Sequence, residues 1–260
     1  MSDHHDAKAL SQQQFTKHAE GYVTSATHAQ GQELERLIEI AQPQRGWVTL
    51  DVATGGGHTA LKFAPFVTHV TATDITPRML EKAQSFVESQ GIENVSFEPA
   101  DAEDLPFNDA SFDLVTCRIA PHHFQNPAGF VRESARVLRA EGLLLVQDHA
   151  LPENAEAARY INAFERLRDP SHHRALPESG WRSLFEAGGL SVEHAEIIIK
   201  VHRLQPWAKR QGCTPETIEQ LVKMVEEAPI QVTDWMQPSL WGTPQASFAN
   251  HHIIIAGRKN

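Results

Sequence analysis

The chain has 260 residues, 41% of them apolar, and a formal net charge of −10 with histidine neutral. This composition fills a sizeable core and excludes a disordered or low-complexity protein. The acidic balance, with no basic stripe, argues against a nucleic-acid partner. Two cysteines, Cys117 and Cys213, without a CxxC, exclude a disulfide framework and fit a reducing compartment.

The first ten residues, MSDHHDAKAL, lack the basic-then-apolar pattern of a secretory signal. No run approaches the ~18 apolar residues of a membrane span, so a cytoplasmic protein is expected. Residues 1–46 predict an N-terminal helical cap. Residues 8–41 read as helical, broken into pieces at Gly21 and Gly31, with Leu34, Leu37, Ile38 and Ala41 forming an i, i+3, i+4, i+7 stripe, and Pro43 and Gly46 end the region.

From Trp47 the rhythm changes. Strands are predicted at 47–52, 67–73, 94–100, 112–117 and 143–148. Between them helices are predicted over Thr59–Ala64, around Met79, Leu80, Ala83, Phe86 and Val87, and over Phe130–Arg139. Strands alternating with helices predict a parallel sheet covered on both faces, with right-handed crossovers. The alternation then breaks. Helices are predicted over Ala155–Leu167, Trp181–Ala187 and Pro215–Glu227, and strands over 190–202 and 247–259 that pair antiparallel at the sheet edge. No linker divides the chain. We read one domain, 1–260: a cap (1–46), a core (47–150), two inserted lid segments (151–180 and 203–245) and two edge strands.

The stretch LDVATGGGHTA ends the first strand in a carboxylate and follows it with three glycines. In open α/β sheets ligands bind beyond the carboxyl ends of the strands, and glycine lets a ligand approach the backbone. Gly55-x-Gly57-x-x-Ala60, with Asp74 nineteen residues after Gly55, fits a nucleoside with its ribose on an acid. The loop and that acid do not separate NAD from S-adenosylmethionine. Asp51 favours the second, because a pyrophosphate there meets like charge whereas an ammonium and a sulfonium are stabilised. Asp51 can also be satisfied by the loop itself. Asp101, after the third strand, is an acid able to accept from an adenine amino group. The tyrosines, Tyr22 and Tyr160, have no lysine four residues later, against a short-chain reductase.

These residues resemble the class I S-adenosylmethionine-dependent methyltransferases, and within them the type 11 group that includes ubiquinone and menaquinone C-methyltransferases. The resemblance rests on LDVATGGGHTA, TATDITPRML, PADAEDLPF, SFDLVTCRIAPHHF and RVLRAEGLLLVQDH. The outer segments AEGYVTSATHAQG and RLRDPSHHR, with RIAPHHF, are similar to the YcgJ-like bacterial subgroup. The resemblance implies a Rossmann-like seven-stranded sheet with its last strand antiparallel, and S-adenosylmethionine as cofactor, released as S-adenosylhomocysteine. It implies that Asp51, Ala53, Gly55 and Gly57 surround the methionine portion and that Asp74 holds the ribose. Ile75 then packs on the adenine, with Met79 on the following helix, and Asp101 and Ala102 meet the adenine edge. Arg118 lies near the methionine portion, and Tyr22 closes over its carboxylate. One departure stands out: Ala53 occupies the first glycine position of the family loop, which bears on the loop's shape.

The reaction is an in-line displacement, so alignment dominates, and a histidine suits any proton removal. His122 and His123 follow the fourth strand. One of them is expected to face the pocket as base or substrate contact, His122 being preferred. His149 and His172 are read as structural. The histidine pairs lack i, i+4 spacing, and no Cys/His cluster is evident, so no metal site is expected. The tryptophans are expected mostly in the core, some lining an apolar acceptor site. The expected activity is methyl transfer to a small apolar or aromatic molecule, in a protein that acts alone or as a homodimer. The alternatives are an NAD-dependent oxidoreductase and a cofactor-binding protein without turnover.

Overall fold

The computed structural model describes Lys8, Gln12, Thr16 and residues 32–260. Tyr22 lies outside the described residues. The first continuous helix is α1 (Gln32–Ala41), followed by β1 (Val48–Val52), α2 (His58–Phe63), β2 (His69–Asp74), α3 (Pro77–Ser89), β3 (Val95–Pro99) and β4 (Phe112–Arg118). Then come α4 (Pro127–Val137), β5 (Leu138–Leu151), α5 (Ala155–Arg168), a two-residue β6 (Leu176–Pro177) and α6 (Glu178–Ala187). The chain closes with β7 (Leu190–Arg203), α7 (Leu204–Lys209), α8 (Pro215–Glu226), α9 (Ile230–Met236) and β8 (Ser247–Lys259).

The sheet runs β3-β2-β1-β4-β5-β8-β7, with β6 beside β5. β1 to β5 pair in parallel, and β8 is antiparallel to both neighbours. Strand order therefore reverses between β1 and β4, which opens a crevice at their carboxyl ends. Strand periodicity sorts the core into two layers. Leu144, Val146, Ile253 and Ile255 pack with Phe130, Val131, Trp181 and Phe185 on one face. Their neighbours Leu143, Leu145, Ile254 and Ala256 pack with Leu34, Leu37 and Phe63 on the other. A third cluster joins Ile161 and Phe164 of one inserted segment to Trp207, Leu221 and Val225 of the other, against Phe248.

The structure differs from the sequence reading near residue 140. α4 ends at Val137, and β5 begins at Leu138 rather than 143 and continues to Leu151. Glu141, at φ 61°, and a register shift opposite Phe112–Leu114 absorb the extra residues as an irregularity. The Glu141-Gly142 pair thus bends a strand instead of closing a helix. Among the described residues, no helix is long and apolar enough to cross a membrane.

Candidate active site

A crevice of about 1000 Å³, its open mouth included, lies beyond the ends of β1, β2, β3 and β4. Ala53 and Gly55 contribute the loop after β1, and Asp74, Ile75 and Met79 the end of β2 and start of α3. Asp101 and Ala102 follow β3, Arg118 ends β4, and His123 closes the wall. Nine of the residues expected from sequence therefore meet in one space.

The loop is shaped by left-handed backbone at Ala53 (φ 53°), Gly55 (φ 56°) and Gly57 (φ 81°). At Gly55 an added Cβ meets only Met79 Cε, at 3.8 Å, so this glycine gives a ligand room. Gly57 does not line the crevice. An added Cβ there would lie 3.1 Å from Val87 and 3.2 Å from Ala83, so this glycine sets how closely α2 packs on α3. Ala53 keeps the loop shape at a cost, since an L-residue in this region pays about 1–2 kcal/mol. Ala53→Gly is expected to raise stability by up to about 1 kcal/mol, after glycine's own entropic cost, with S-adenosylhomocysteine binding unchanged. Urea unfolding checks the sign.

Asp74 is buried and bonded by the loop. Gly55 N–H donates to its Oδ2 at 3.1 Å and Thr76 N–H to its Oδ1 at 2.8 Å. Burial raises its carboxyl above the ordinary value despite those donors. Asp51 sits one layer behind the wall, because two threonines intervene. Thr54 Oγ1 donates to Oδ2 at 2.6 Å and Thr116 Oγ1 to Oδ1 at 2.7 Å. Burial pushes Asp51 up to about 6, against the pull of those hydroxyls and of Arg118. Arg118 itself is half-buried and donates from Nε to Thr59 Oγ1 at 3.1 Å. Burial lowers it, while Asp51 and Glu33 hold its charge.

On the other side of the crevice, Lys8 bridges Asp101 at 2.6 Å and Glu103 at 3.0 Å. Gln12 donates to the Ile75 carbonyl at 2.8 Å. Lys8 and Gln12 thus reach the wall formed by Asp101, Glu103 and Ile75, a contact that one cation in a polar stretch did not signal. Ile119, also on the wall, has φ 54°. A β-branched residue there stores strain, of order 1–3 kcal/mol, of the kind found at ligand sites.

The paired histidines diverge. His123 faces the crevice, and its Nδ1 lies 3.0 Å from the Ser171 carbonyl. A carbonyl only accepts, so Nδ1 carries a proton, and in the neutral ring the lone pair falls on Nε2. His122, the residue preferred from sequence, turns inward instead. Its Nδ1 lies 2.5 Å from Asp148 Oδ1, and its ring stacks on His149 at 4.4 Å and His172 at 5.3 Å. Burial drives His122 and His149 well below the ordinary histidine value and His172 to about 2. The N–H groups of His173 and Arg174 donate to the His122 carbonyl at 2.8 and 2.9 Å, so the first inserted segment docks on this turn. The expectation of no histidine cluster is overturned: β4's following turn, β5 and the loop after α5 bring together residues far apart in sequence. Asp148 could have been flagged, being an acid at the carboxyl end of a strand.

Three of the four backbone donors from Thr54 to Gly57 are already spent. Thr54 and Gly57 spend their N–H groups on Thr73 and Thr54 carbonyls, and Gly55 spends its own on Asp74. None of the three is presented to a pyrophosphate, whereas acids lie behind, beside and across the space. That arrangement fits the ribose, adenine and cationic methionine arm of S-adenosylmethionine, and with the sheet topology it defines a class I methyltransferase.

Comparison with known proteins agrees. Residues 50–146 match the type 11 methyltransferase domain family. Over 246 residues, 94% of this chain and 97% of the relative, the sequence is 37% identical to the uncharacterized methyltransferase YcgJ of Bacillus subtilis strain 168. The crystal structure of YcgJ superposes with a TM-score of 0.85 at 36% identity, covering 88% of this chain and 98% of that one. The 27-O-demethylrifamycin SV methyltransferase of Amycolatopsis mediterranei is 30% identical over 76% of this chain and 74% of its own. The chain belongs to the YcgJ-like group of the type 11 S-adenosylmethionine-dependent methyltransferases. It is a methyltransferase of small molecules.

Proposed function

We propose that the enzyme methylates a protic heteroatom, first of all a hydroxyl, on a small apolar or aromatic acceptor, with His123 as the base. The observation that carries this is the His123 ring on the crevice wall, fixed by its Nδ1 bond to the Ser171 carbonyl. Ser171 is held in turn, its Oγ donating to Asp169 Oδ1 at 2.5 Å. A neutral imidazole with its lone pair on Nε2 accepts a proton from the acceptor as the methyl group moves. The sulfonium already activates the donor, so the protein's main work is alignment. Arg118, at the methionine end, binds the cofactor's carboxylate, and Asp74 and Asp101 bind ribose and adenine. The relative that methylates 27-O-demethylrifamycin SV supports an oxygen acceptor. Ile119, Ala120 and Phe124 give the crevice an apolar side, and the acidic surface suits a neutral small molecule better than a nucleic acid.

The test is transfer from methyl-labelled S-adenosylmethionine to a panel of phenols, hydroxy-polyketides and amines. Products methylated at oxygen are expected. His123→Ala should lower kcat by about 10²–10⁴-fold with S-adenosylhomocysteine affinity retained. Label found only on carbon, or a His123→Ala enzyme as fast as the parent, would sink the proposal.

A further inference from the structure

We propose that His122, His149 and His172 form a binding site for a zinc-class divalent cation, immediately behind the methyl-transfer crevice. Their donor nitrogens all lie within 4.8 Å of one another, and all three side chains are buried. Zinc bonds to imidazole nitrogen of about 2.0–2.1 Å place neighbouring ligands roughly 3.4 Å apart, so the widest pair closes by up to about 1.4 Å on binding.

The hydrogen bonds around the cluster point its nitrogens inward. His172 Nε2 lies 2.8 Å from Asn162 Oδ1, an oxygen that also accepts the Ala175 N–H at 2.9 Å. Since that oxygen is an acceptor, Nε2 donates and Nδ1 keeps its lone pair. His122 places Nδ1 against Asp148, which directs Nε2 to a metal in the carboxylate–histidine pattern of zinc sites. His149 leans Nδ1 toward Glu165 Oε1 at 3.9 Å.

A second, independent observation is a set of buried polar atoms with nothing to bond. Asp148 Oδ2 has no hydrogen-bond partner, and Asp148 is fully buried. Both ring nitrogens of His252, 4.8 Å from His149 ring to ring, are also without hydrogen-bond partners. Buried groups left this way cost stability and need an explanation. A dication held by the three imidazoles, with the Asp148 and Glu165 side chains beside it, supplies one. An access route exists, since His149 also lines a smaller cavity of about 300 Å³, open space included, under the inserted helices. Three protein ligands leave the fourth position to water or to His252.

The test uses the full chain without an affinity tag, stripped by chelator, with Co²⁺ and Zn²⁺ as probes. One equivalent of Co²⁺ should bind, with the visible absorption of a four-coordinate site, and Zn²⁺ should displace it. His149→Ala and His172→Ala should each weaken binding by more than roughly 100-fold, and Asp148→Asn by roughly 10–100-fold. His69→Gln and a variant lacking His4 and His5 should bind as the parent does. Should the cluster variants not fold, X-ray absorption at the zinc edge of the parent protein reads the ligands directly, and fewer than three imidazoles overturns the proposal. So does a parent protein that takes up neither ion, or a double variant, His149→Ala with His172→Ala, that still binds one equivalent. S-adenosylhomocysteine binding by the stripped protein is measured alongside, so the cation site can fail while the methyltransferase reading stands.

Discussion

Asp74→Ala is expected to weaken S-adenosylhomocysteine binding by 100-fold or more, the largest single effect on the cofactor. The residue does two jobs. Its carboxylate accepts from Gly55 and Thr76 backbone N–H groups, which locks the loop across the crevice floor. In the proposed function its remaining lone pairs accept from the ribose hydroxyls. Hydrogen bonds to a charged acceptor contribute about 1.5–3 kcal/mol each, and two of them amount to roughly 100-fold or more in Kd. Alanine also leaves the two N–H donors unpartnered, which loosens the loop before the cofactor arrives. Asp74→Asn, with one carbonyl in place of two acceptor oxygens, should fall between. Titration calorimetry settles it: a folded Asp74→Ala protein that binds within a factor of three of the parent would remove Asp74 from the site.

Gly57→Val should bring the largest loss of stability at the site without touching a ligand. The glycine sits at φ 81°, where a β-branched residue is strained, and an added Cβ would press on Val87 and Ala83 at 3.1–3.2 Å. Left-handed strain of about 1–2 kcal/mol adds to overpacking of about 1–3 kcal/mol. For a chain of this size that is a fall in Tm of roughly 5–15 °C. Cofactor affinity should fall with it, because α2 and the loop can relieve the contact only by moving off α3. The contrast with Ala53→Gly is the informative comparison. Two neighbouring left-handed positions in one loop respond with opposite signs, since the half-buried Ala53 already accommodates its methyl group and Gly57 has no room for one. Equal effects of the two substitutions on unfolding would undo this account.

Much of the cofactor site was legible because it is local. Asp51, Ala53, Gly55, Asp74 and Asp101 each lie at, or within a few residues of, a strand's carboxyl end, and parallel pairing alone brings the ends of β1, β2 and β3 side by side. What sequence spacing did not convey was depth. Asp51 and Gly57 stand in the loop motif yet lie behind the wall, the first sealed by Thr54 and Thr116, the second spent on helix packing. Adjacent histidines were expected to diverge and do, but which one faces the crevice depends on where the loop at 169–174 docks. Asp148, Ser171 and Lys8 join the site from β5, the first inserted segment and the N-terminal segment, with no shared motif to link them.

By itself the sequence determined the alternation of strands and helices, the glycine-rich turn after β1 and the acids that suit a cationic adenosyl donor. Hydrophobic period and turn chemistry act over a few residues, so they can be read without neighbours. The tertiary structure alone decided the direction of His122 and His123, the gathering of His149 and His172 beside them, and the orphaned oxygen of Asp148. Those depend on contacts between segments up to about fifty residues apart, and burial, which sets their charge, is a property of the packed whole.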